Sequence, residues 1–560
     1  MGQTEEPSGV LSGRTISSMV CSIAPSPINV KELERELAIY PDTAAASFLL
    51  DGFKTGFSLN YEGPRVSSES KNIKSALEHP EIVLKKLEKE LAAGRIAGPF
   101  VSPPFATLRV SPIGLVPKKE ANDFRLIHHL SYPAGLSVND YIDRKNCSVQ
   151  YTSFDVAVHM VQDLGRHCLL FKLDVRSAFR LLPVAVSDFD QLGFKFDGKY
   201  YFDKCCPFGF SGSCKIWETF AKFLEFMVRQ KANSQNLIHY LDDFLGGGKG
   251  GSDECFKLMD IFRKCMQQLS VPLSEEKTEG PCTVLVFLGL EIDSDEMVIR
   301  IPLPKVEEIL LRIQEFLARK KVTLREMQSL IGVLNFACRA IVPGRPFCRR
   351  LINSICGLTK PYHHLRLNKG IRQDLLMWRH FFQNYNGVTV FHDRFWITNE
   401  DLELFTDSAA GQGLGFGIYF SGDWASAKWP QEWHDRGFTT DITLLELFPI
   451  YVALCIWGEK LRNKKVCFRS DNMAVVYIIN SMTSKSDMIM VLLRNITLKC
   501  LQLNIAIKCR HVIGRCNLIC DFLSRFQPDR FRQAAPDAAV EPVPVPDRLW
   551  NVFDQELLLS

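Results

Sequence analysis

No pair of cysteines in this sequence has the Cys-x-x-Cys spacing, although 18 cysteines are scattered along the chain. That scatter argues for reduced thiols inside a cell and against a disulfide scaffold. His511, Cys516 and Cys520 lie close together in the sequence. Their spacing fits no standard zinc finger and a fourth ligand is missing, so a zinc cluster is disfavoured there.

Long apolar segments and a secretory leader are also lacking. The longest apolar run, near 448–457, is far short of the ~20 residues that span a membrane, and no signal peptide opens the chain. Neither sign of charge dominates, because the formal net charge is +4. We therefore expect a soluble, intracellular protein with no membrane partner. Local basic clusters such as 319–321 suit a polyanion, but they equally suit a solvated face.

Composition changes along the chain predict five segments. Residues 1–79 carry no enzyme motif, and we expect a partly disordered N-terminal extension with one short helix near 29–37. Apolar residues recur at helix and strand spacing over 80–295, 296–399 and 400–526. Beyond Phe526 proline, alanine and aspartate predominate, which predicts a Pro/Ala-rich tail over 527–560. Its first part, 527–546, is expected to be a linker or disordered, with Leu549, Trp550 and the leucines at 557–559 as docking residues.

Two adjacent aspartates, Asp242 and Asp243, are the centre of the 80–295 segment. Residues 237–241 are apolar enough for a buried strand, a second strand can return from Phe244, and the glycines at 246–248 are expected to end it. Carboxylates at the tip of such a hairpin repel each other unless a divalent cation lies between them and a partner carboxylate. Hard oxygen ligands of this kind suit Mg²⁺. An isolated pair is more often a solvated turn.

Other residues could share a site with this pair. Asp174 ends a predicted buried strand and would complete a three-carboxylate platform for two metal ions. Lys118 and Arg125 lie on the two arms of a predicted hairpin, where they form a cationic clamp that suits a nucleotide triphosphate. A charged exposed hairpin is the alternative explanation of that clamp. The loop at 207–212, rich in proline and glycine, opens a predicted helix from about 215 to 228 and would let a base pair approach closely.

The order of these motifs resembles the fingers and palm of a retroelement reverse transcriptase. The resemblance implies that Asp174, Asp242 and Asp243 hold metal ions, while Lys118 and Arg125 grip the triphosphate. It implies that Phe179, five residues after Asp174, excludes a ribose 2′-hydroxyl, which predicts deoxynucleotide substrates. The other implied roles are protonation of the leaving pyrophosphate by Lys277, substrate contacts by Phe208, Gly209 and Tyr240, and a primer grip formed by Phe287, Leu288 and Gly289.

Residues 303–395 are predicted to be mostly helical, because apolar residues recur there on helical faces. In a protein that resembles reverse transcriptases this is the place of a thumb and connection. The arginine-rich stretch that ends at Arg350 suits a duplex backbone.

Four carboxylates in the order Asp, Glu, Asp, Asp mark the segment 400–526. They are Asp407 in a predicted strand, Glu446 in an apolar helix, Asp471 at a strand end and Asp521. This order on a strand-helix-strand-helix frame resembles ribonuclease H. The resemblance implies that the four hold two Mg²⁺ ions that activate water against an RNA phosphodiester, and that His511 is the family's mobile histidine, which helps the product leave.

Two plainer interpretations compete in this segment. Thr443-x-x-Glu446 is a capping box, which would explain Glu446 without any chemistry. Asp407-Ser408-Ala409 suggests an aspartic protease only weakly, because the third residue of that motif should be glycine.

We therefore predict an α+β right-hand polymerase with fingers, palm and thumb, followed by an α/β ribonuclease H-like domain. The predicted function is RNA-directed DNA synthesis on retroelement RNA with degradation of the RNA strand of the hybrid. Two Mg²⁺ ions per active site are expected as cofactors, with Mn²⁺ as a substitute. Expected partners are the RNA template, DNA primer, RNA/DNA hybrid and dNTPs, with element-encoded capsid and recombinase proteins as further candidates.

The sequence of residues 124–133 resembles that of DIRS-type elements, which use a tyrosine recombinase, more than that of Ty3-like elements. Reverse transcription in particles would place the protein in the cytoplasm, and recombinase-linked integration would place it in the nucleus. A degenerate or host-adopted, non-catalytic nucleic-acid-binding protein is the main alternative. An RNA-dependent RNA polymerase palm is a second one, against which Phe179 and the C-terminal carboxylates argue.

Overall fold

The computed structural model describes residues 22–118, 123–384, 386, 397–398, 404–513 and 516–554. The chain divides into two compact units, Met1–Leu285 and Val286–Ser560. Each unit has its own large hydrophobic core. The finer organisation into five segments stays a prediction.

The first unit mixes helices with strands. Its helices are α1 (Val30–Leu37), α2 (Thr43–Thr55), α3 (Lys74–Glu78), α4 (Pro80–Ala92), α5 (Phe154–Leu164), α6 (Ser213–Ala232) and α7 (Glu254–Leu269). Its strands are β1 (Ser68–Glu69), β2 (Ile96–Phe100), β3 (Arg109–Val110), β4 (Ile113–Pro117), β5 (Phe124–His128), β6 (Leu169–Asp174), β7 (Gly193–Phe196), β8 (Lys199–Asp203), β9 (Leu237–Tyr240), β10 (Asp243–Gly248) and β11 (Glu279–Cys282).

A four-stranded sheet in the order β11-β6-β10-β9 forms the floor of the first unit. Helices α5, α6 and α7 pack on it. The glycines at 246–248 do not end β10, contrary to the sequence prediction, because they are part of its packing. A Cβ at Gly246 would lie 2.3 Å from the Phe171 ring, so only glycine lets this strand pass over that side chain.

A five-stranded sheet, β1-β3-β7-β8-β2, forms a second layer, and the hairpin β4–β5 lies against it. Ile113 and Leu115 of the hairpin share a buried cluster with Phe194 and Tyr201 of the sheet. The hairpin that carries Lys118 and Arg125 is therefore anchored on its apolar face while its charged residues stay exposed.

Residues 22–79 of the N-terminal extension form helices α1, α2 and α3 and strand β1, and residues 1–21 lie outside the described residues, so partial disorder of the extension stays a prediction. The predicted short helix is confirmed as α1, which begins after Asn29, whose side chain accepts a hydrogen bond from the Glu32 N–H. Phe53 and Phe57 are buried in the core of the first unit. Burial of a Phe side chain contributes about 1.5–3 kcal/mol, so these two rings help to hold the segment against the first unit's core.

The second unit begins within β12 (Val284–Phe287). Its further strands are β13 (Leu290–Asp293), β14 (Val298–Arg300), β15 (Lys321–Thr323), β16 (His364–Arg366), β17 (Ile397–Thr398), β18 (Phe405–Ser408), β19 (Gly415–Phe420), β20 (Asp423–Lys428), β21 (Lys465–Ser470) and β22 (Ala506–His511). Its helices are α8 (Leu303–Ala318), α9 (Leu324–Ala337), α10 (Arg349–Ser354), α11 (Lys369–Asn384), α12 (Gln431–Asp435), α13 (Ile442–Trp457), α14 (Met473–Ser481), α15 (Asp487–Gln502), α16 (Leu518–Ser524) and α17 (Pro528–Ala534).

Helices α8 to α11 make the described part of residues 303–395 mostly helical, as predicted. Beyond them, β18, β19 and β20 form an antiparallel sheet, while β21 pairs in parallel with β17 and β22. Strand β18 lies beside β21, and α13 packs on β18 and β19. This arrangement brings the ends of β18 and β21 together over one face of α13.

The apolar run near 448–457 belongs to a longer helical segment than expected. Helix α13 and the 3-10 turn after it span 20 residues, Ile442–Leu461, which by length and composition could cross a membrane. Most of the segment is buried inside the second unit, and Leu447, Phe448 and Ile450 are in its core. Burial of this kind is equally typical of a central core helix.

Residues 527–546 are packed, contrary to the prediction of a linker or disordered segment, whereas the predicted docking of Leu549 and Trp550 is confirmed. Phe531 of α17 is buried, and Trp550 stacks on Phe448 with ring centroids 5.3 Å apart. The backbone N–H groups of Ala539 and Val543 donate hydrogen bonds of 2.8 and 2.7 Å to carbonyls at the start of β20. Composition alone misled the prediction, because a few aromatic anchors are enough to hold a segment rich in proline and alanine. Residues 557–559 lie outside the described residues.

Candidate active sites

Three carboxylates converge at one end of the four-stranded sheet in the first unit. Asp174 is the last residue of β6, Asp243 is the first of β10, and the antiparallel register places them opposite each other. Asp242 shares the tip of the β9–β10 hairpin with Leu241, whose φ of +54° lies in the left-handed region. Such a conformation costs about 1–2 kcal/mol for a side-chain-bearing residue. The Val175 N–H donates to the Asp242 carbonyl over 2.9 Å and helps to hold the tip.

The electrostatics of this cluster are those of crowded anions. Burial and the neighbouring Asp174 raise the pKa of Asp242, and burial together with both other aspartates raises the pKa of Asp243 to about 6. Lys277 Nζ lies 2.9 Å from Asp174 Oδ2. Burial disfavours the charged form of Lys277, but the hydrogen bond to Asp174 and the three negative charges outweigh it and raise the lysine's pKa. The structure thus brings together in one site four of the predicted residues: Asp174, Asp242, Asp243 and Lys277.

The two cationic residues of the β4–β5 hairpin point to different neighbours. Lys118 Nζ pairs with Asp123 Oδ2 at 2.6 Å. The Arg125 guanidinium lies 4.7 Å from the centroid of the Phe208 ring. The positive charge of Arg125 also acts on Asp242: it lowers the pKa that burial and Asp174 raise. Arg125 is therefore near the carboxylates, whereas Lys118 is held back by an ion pair.

Aromatic rings line the space between the clamp and the carboxylates. The Phe179 and Phe208 rings are 5.5 Å apart, and Tyr240 lies 5.2 Å from Tyr151. Gly209 has a φ of +127°, and a Cβ there would lie 1.9 Å from the His128 carbonyl oxygen. The loop after Pro207 therefore requires glycine for a close backbone approach.

The predicted primer grip is a tight turn between β12 and β13. Phe287 is fully buried, while Leu288 and Gly289 have φ values of +49° and +80°. Left-handed backbone at both loop positions is what a type I′ hairpin turn requires. A Cβ at Gly289 would lie 3.0 Å from the Phe336 ring of α9. The grip on a primer stays a prediction.

A second cluster lies in the other unit, where four carboxylates line a cavity of about 450 Å³. The ligand oxygens of Asp407, Glu446 and Asp471 all lie within 4.8 Å of one another. Asp407 comes from β18, Glu446 from α13, and Asp471 directly follows β21. Asp521 from α16 lines the same cavity, so the structure brings together the four carboxylates that the sequence pattern singled out.

Crowding and burial raise the pKa values of two of these groups, Asp407 and Glu446. Burial raises the pKa of Asp407 to about 7, although a hydrogen bond from Ser524 Oγ of 2.9 Å partly opposes the shift. Burial and the charges of Asp407 and Asp471 raise the pKa of Glu446 to about 9. Such a site has oxygen ligands and excess negative charge, and both suit a hard divalent cation. The residues present at both clusters therefore fit the expected metal ions.

The capping-box interpretation of Glu446 is wrong. Asp441 caps α13, because its Oδ1 accepts hydrogen bonds from the N–H groups of Thr443 and Leu444 at 3.0 and 3.2 Å. Thr443 is inside the helix, and Glu446 lies one turn further along, facing the carboxylate cluster.

His511 is placed differently from the carboxylates. It ends β22 opposite Ser470 and is exposed, outside the set of described residues that line the cavity. Its part in product release stays a prediction.

Several residues of the two sites were missed from the sequence. Arg525 pairs with Asp521 at 2.6 Å, and Ser524 supports Asp407. In the first unit the His239 ring lies between Glu225, 2.5 Å from its Nδ1, and Glu218, 3.4 Å from its Nε2. Ser524 and Arg525 could have been found from their helical spacing to Asp521, but nothing local links His239 to α6.

Residues 116–292 match the family described as "Reverse transcriptase (RNA-dependent DNA polymerase)". No curated protein matches the chain. Among solved structures, a foamy viral protease-reverse transcriptase in complex with dsDNA aligns with a TM-score of 0.50 and 16% identity over 88% of this chain and 98% of that chain. The foamy viral protein in complex with RNA/DNA hybrid aligns with a TM-score of 0.48 and 14% identity over 87% of this chain and 64% of that chain.

The family match covers Arg125, the three carboxylates of the first cluster and the turn at 287–289. This part of the chain is therefore a reverse transcriptase domain, the domain of an RNA-directed DNA polymerase. The similarity to the foamy viral structure extends to the fold alone, and it supports the arrangement of palm, fingers and thumb.

Proposed function

We propose that this protein copies the RNA of a retroelement into DNA at the first cluster and degrades the RNA strand of the resulting hybrid at the second. One observation carries the proposal: the chain has two carboxylate clusters, in separate units, and burial and mutual repulsion raise the pKa of Asp242 and Asp243 in one and of Asp407 and Glu446 in the other. Perturbed carboxyls gathered in this way are typical of functional sites.

In the polymerase site, the side chains of this chain bind and orient the substrates. Arg125 and Lys118 offer charge to a triphosphate once Lys118 leaves Asp123, and a planar guanidinium suits two phosphate oxygens. Phe179 lies against Phe208 and limits the room beside the nucleotide sugar. Lys277 stays protonated next to Asp174, so it holds a proton within the site where pyrophosphate would leave.

In the second site, Asp407, Glu446, Asp471 and Asp521 are the ribonuclease H-type residues. The four-carboxylate cavity and the strand arrangement of β18 to β22 support this ribonuclease H-like fold. Mg²⁺ ions held by each cluster would supply charge neutralisation and activation of the attacking oxygen. Template, primer, hybrid and dNTPs are the proposed partners, in keeping with the nucleic acids bound by the foamy viral proteins.

The finer identity of the element is part of the same proposal. The wording of residues 124–133 supports a DIRS-type origin, with a recombinase and a capsid protein as partners encoded elsewhere. Reverse transcription would then take place in the cytoplasm and integration in the nucleus.

The decisive experiment is extension of a labelled DNA primer on a separately labelled RNA template with Mg²⁺ and dNTPs. Wild-type protein should extend the primer and shorten the RNA. Asp242→Asn should abolish extension and leave RNA cleavage of a preformed hybrid, and Asp471→Asn should do the reverse. Tight hybrid binding with neither activity would instead establish the non-catalytic alternative, and a preference for ribonucleotides would point to an RNA polymerase.

A further inference from the structure

A buried ion-pair network lies in the first unit, next to the segments that carry Arg125, Phe179 and Phe208, the residues proposed to contact the nucleotide. Its three members, Arg180, Asp203 and His128, are only 7%, 5% and 4% exposed. Arg180 Nη1 lies 2.8 Å from Asp203 Oδ1, and His128 Nδ1 lies 2.9 Å from Asp203 Oδ2. None of the three reaches the carboxylate cluster through a described hydrogen bond, so catalysis as proposed leaves them without a role.

Each member of this network is linked, by sequence or by a hydrogen bond, to a segment of the proposed nucleotide site. Arg180 directly follows Phe179 in the 3-10 turn Ala178–Leu181. Its guanidinium donates to the Cys205 carbonyl at 3.2 Å, two residues before Pro207. Three separate segments therefore meet at one buried aspartate: the turn with Phe179, the strand before the Pro-Phe-Gly loop, and the clamp hairpin.

His128 makes the connection to the hairpin. It is the last residue of β5, three residues after Arg125, and its Nε2 lies 3.1 Å from the Gly193 carbonyl oxygen. Its backbone N–H donates to the Phe208 carbonyl at 2.8 Å. His128 therefore joins the hairpin strand to Asp203 through its ring and to the loop that carries Phe208 through its backbone N–H.

The network is fully compensated, which makes it stiff. Glu90 of α4 accepts from Arg180 at 2.9 Å and from Arg95 at 3.1 Å. Burial opposes the charge on Arg180, but Asp203 and Glu90 outweigh it and raise the arginine's pKa. Burial likewise opposes the charge on Asp203, but Arg180 and His128 outweigh it and lower the aspartate's pKa.

Stability alone is a poor explanation of such a network. Well-packed apolar side chains of similar volume often stabilise a core as well as a buried ion pair does. Charged groups, unlike apolar ones, also fix the orientation of their partners, because each hydrogen bond allows only a narrow range of distances and angles. The arrangement that is fixed here is that of Phe179, Phe208 and Arg125 relative to one another.

We propose that Arg180, Asp203 and His128 are positioning residues that set the distance between the Phe179 ring and the loop at Phe208, and thereby determine selection of deoxyribose over ribose. The proposal rests on the polymerase activity proposed above. Loss of the network lets the two rings move apart, so a ribose 2′-hydroxyl is admitted and a deoxynucleotide is held less firmly.

The test is steady-state incorporation of single dNTPs and rNTPs on a primed RNA template by the full-length chain. Arg180→Lys keeps the charge but loses the two-pronged donor, and Asp203→Asn removes the shared acceptor charge. Because a displacement of about 1 Å can cost about 100-fold, we expect the dNTP-to-rNTP ratio of kcat/KM to fall at least about tenfold. The dNTP KM should rise while kcat changes less than about threefold.

Two controls separate positioning from folding. Asp188→Asn disturbs an equally buried aspartate of the same unit, which pairs with Arg65 at 2.6 Å away from the network. It should lower the unfolding temperature without changing sugar selection. Phe179→Ala should lose sugar selection directly, which shows that the assay detects an open gate. Affinity for primer-template should remain that of wild type in all four variants.

Each outcome has one meaning. Reduced selectivity in Arg180→Lys and Asp203→Asn, with wild-type selectivity in Asp188→Asn, supports the inference. Unchanged selectivity in both network variants, or an equal loss in the Asp188 control, overturns it while the polymerase proposal stands. Absence of extension by the wild-type chain overturns both proposals together.

Discussion

Glu446 keeps its proton at neutral pH when no cation is bound, because burial and two neighbouring aspartates raise its pKa to about 9. Asp407 is raised to about 7 in the same cavity. Both groups bind a proton more tightly in the folded than in the unfolded chain. Their contribution to stability is therefore full below pH ~4, where both states are protonated, and it is lost as the pH rises through 7 and then 9.

The first prediction follows from the direction in which stability changes with pH. In EDTA, the unfolding free energy of the second unit should fall by a few kcal/mol between pH 5 and pH 9, since each pKa unit corresponds to about 1.4 kcal/mol. Glu446→Gln should remove much of the slope. The measurement is chemical denaturation at several pH values, and an equally steep slope in the variant would contradict the assignment.

Lys277 gives a second prediction at the residue scale. Lys277→Met removes the ammonium group 2.9 Å from Asp174 and with it the proton held in the polymerase site. Primer extension should fall about 100-fold, the usual size of a general-acid contribution. Cleavage of a preformed hybrid should be unchanged, and Lys277→Arg should retain the ion pair with intermediate activity. Full activity of the methionine variant would exclude the proposed role.

Sequence patterns singled out the acidic residues that the structure gathers into two clusters, because the order of these residues along the chain is regular. The patterns could not decide whether Glu446 belongs to the carboxylate cluster or to a capping box, since a capping role depends on where α13 begins. Asp441 caps the helix, two residues before Thr443, the expected start of the capping box. Ser524 was missed for a related reason, because its contact with Asp407 joins residues 117 positions apart.

At the scale of elements, the loop after Pro207 depends on one glycine. Gly209→Ala would place a Cβ 1.9 Å from the His128 carbonyl oxygen at a φ of +127°. We expect the loop to shift and primer extension to fall at least tenfold, about the effect of a small misplacement near the reacting groups. Gly198→Ala is the matched control, because Gly198 also has a positive φ but nothing lies within 4 Å. Extension kinetics that are equal in the two variants would contradict this expectation.

The tail provides the second prediction at this scale. Trp550 packs on Phe448 and lies 5.6 Å from Trp433, so Trp550→Ala should destabilise the second unit by about 3 kcal/mol. Ribonuclease activity should be lost at a lower temperature than polymerase activity. Val540→Ala, at a residue that is 81% exposed, should change neither. Denaturation curves of both variants measure the difference, and equal curves would show that the tail does not support the fold.

Elements were predicted well where periodicity is strong. The β9–β10 hairpin, the β4–β5 hairpin and helix α1 all follow from local patterns. The tail and the glycines of β10 were misjudged because both depend on partners far away in sequence. Gly246 is explained only by the Phe171 ring beneath it, and the tail only by the aromatic surface it covers.

At the scale of the whole molecule, a cluster of three charged residues joins helices α10 and α11 of the second unit to helix α15 in its C-terminal part. Arg350 of α10 lies 3.1 Å and Arg494 of α15 3.6 Å from the two oxygens of Asp374 in α11. Asp374 and Arg494 are almost fully buried. The two parts are therefore expected to unfold together.

The corresponding prediction concerns Asp374. Asp374→Ala leaves the buried Arg494 guanidinium and the partly exposed Arg350 guanidinium without their shared partner and should cost about 3–5 kcal/mol. The double variant Asp374→Leu with Arg494→Met should recover most of that loss, because it removes the uncompensated charge. Calorimetry of the three proteins tests this, and a double variant no more stable than the single one would contradict it.

Order of motifs along the chain was enough to anticipate a polymerase fold at this scale. The network of Arg180, Asp203 and His128 was not foreseeable, because its members are up to 75 residues apart and each is unremarkable alone. Long-range pairing of single polar residues leaves no periodic signal in the sequence.

The contact of the tail with β20 has a consequence for association. Strand β20 is the outer strand of its sheet, and the N–H groups of Val543 and Ala539 donate to the carbonyls of Trp424 in β20 and of Gly422 just before it. An uncovered outer strand is a template on which another chain can pair. Proteolytic loss of the tail would therefore change how copies of the protein meet, and clipped molecules should cluster as their concentration rises while intact ones stay apart.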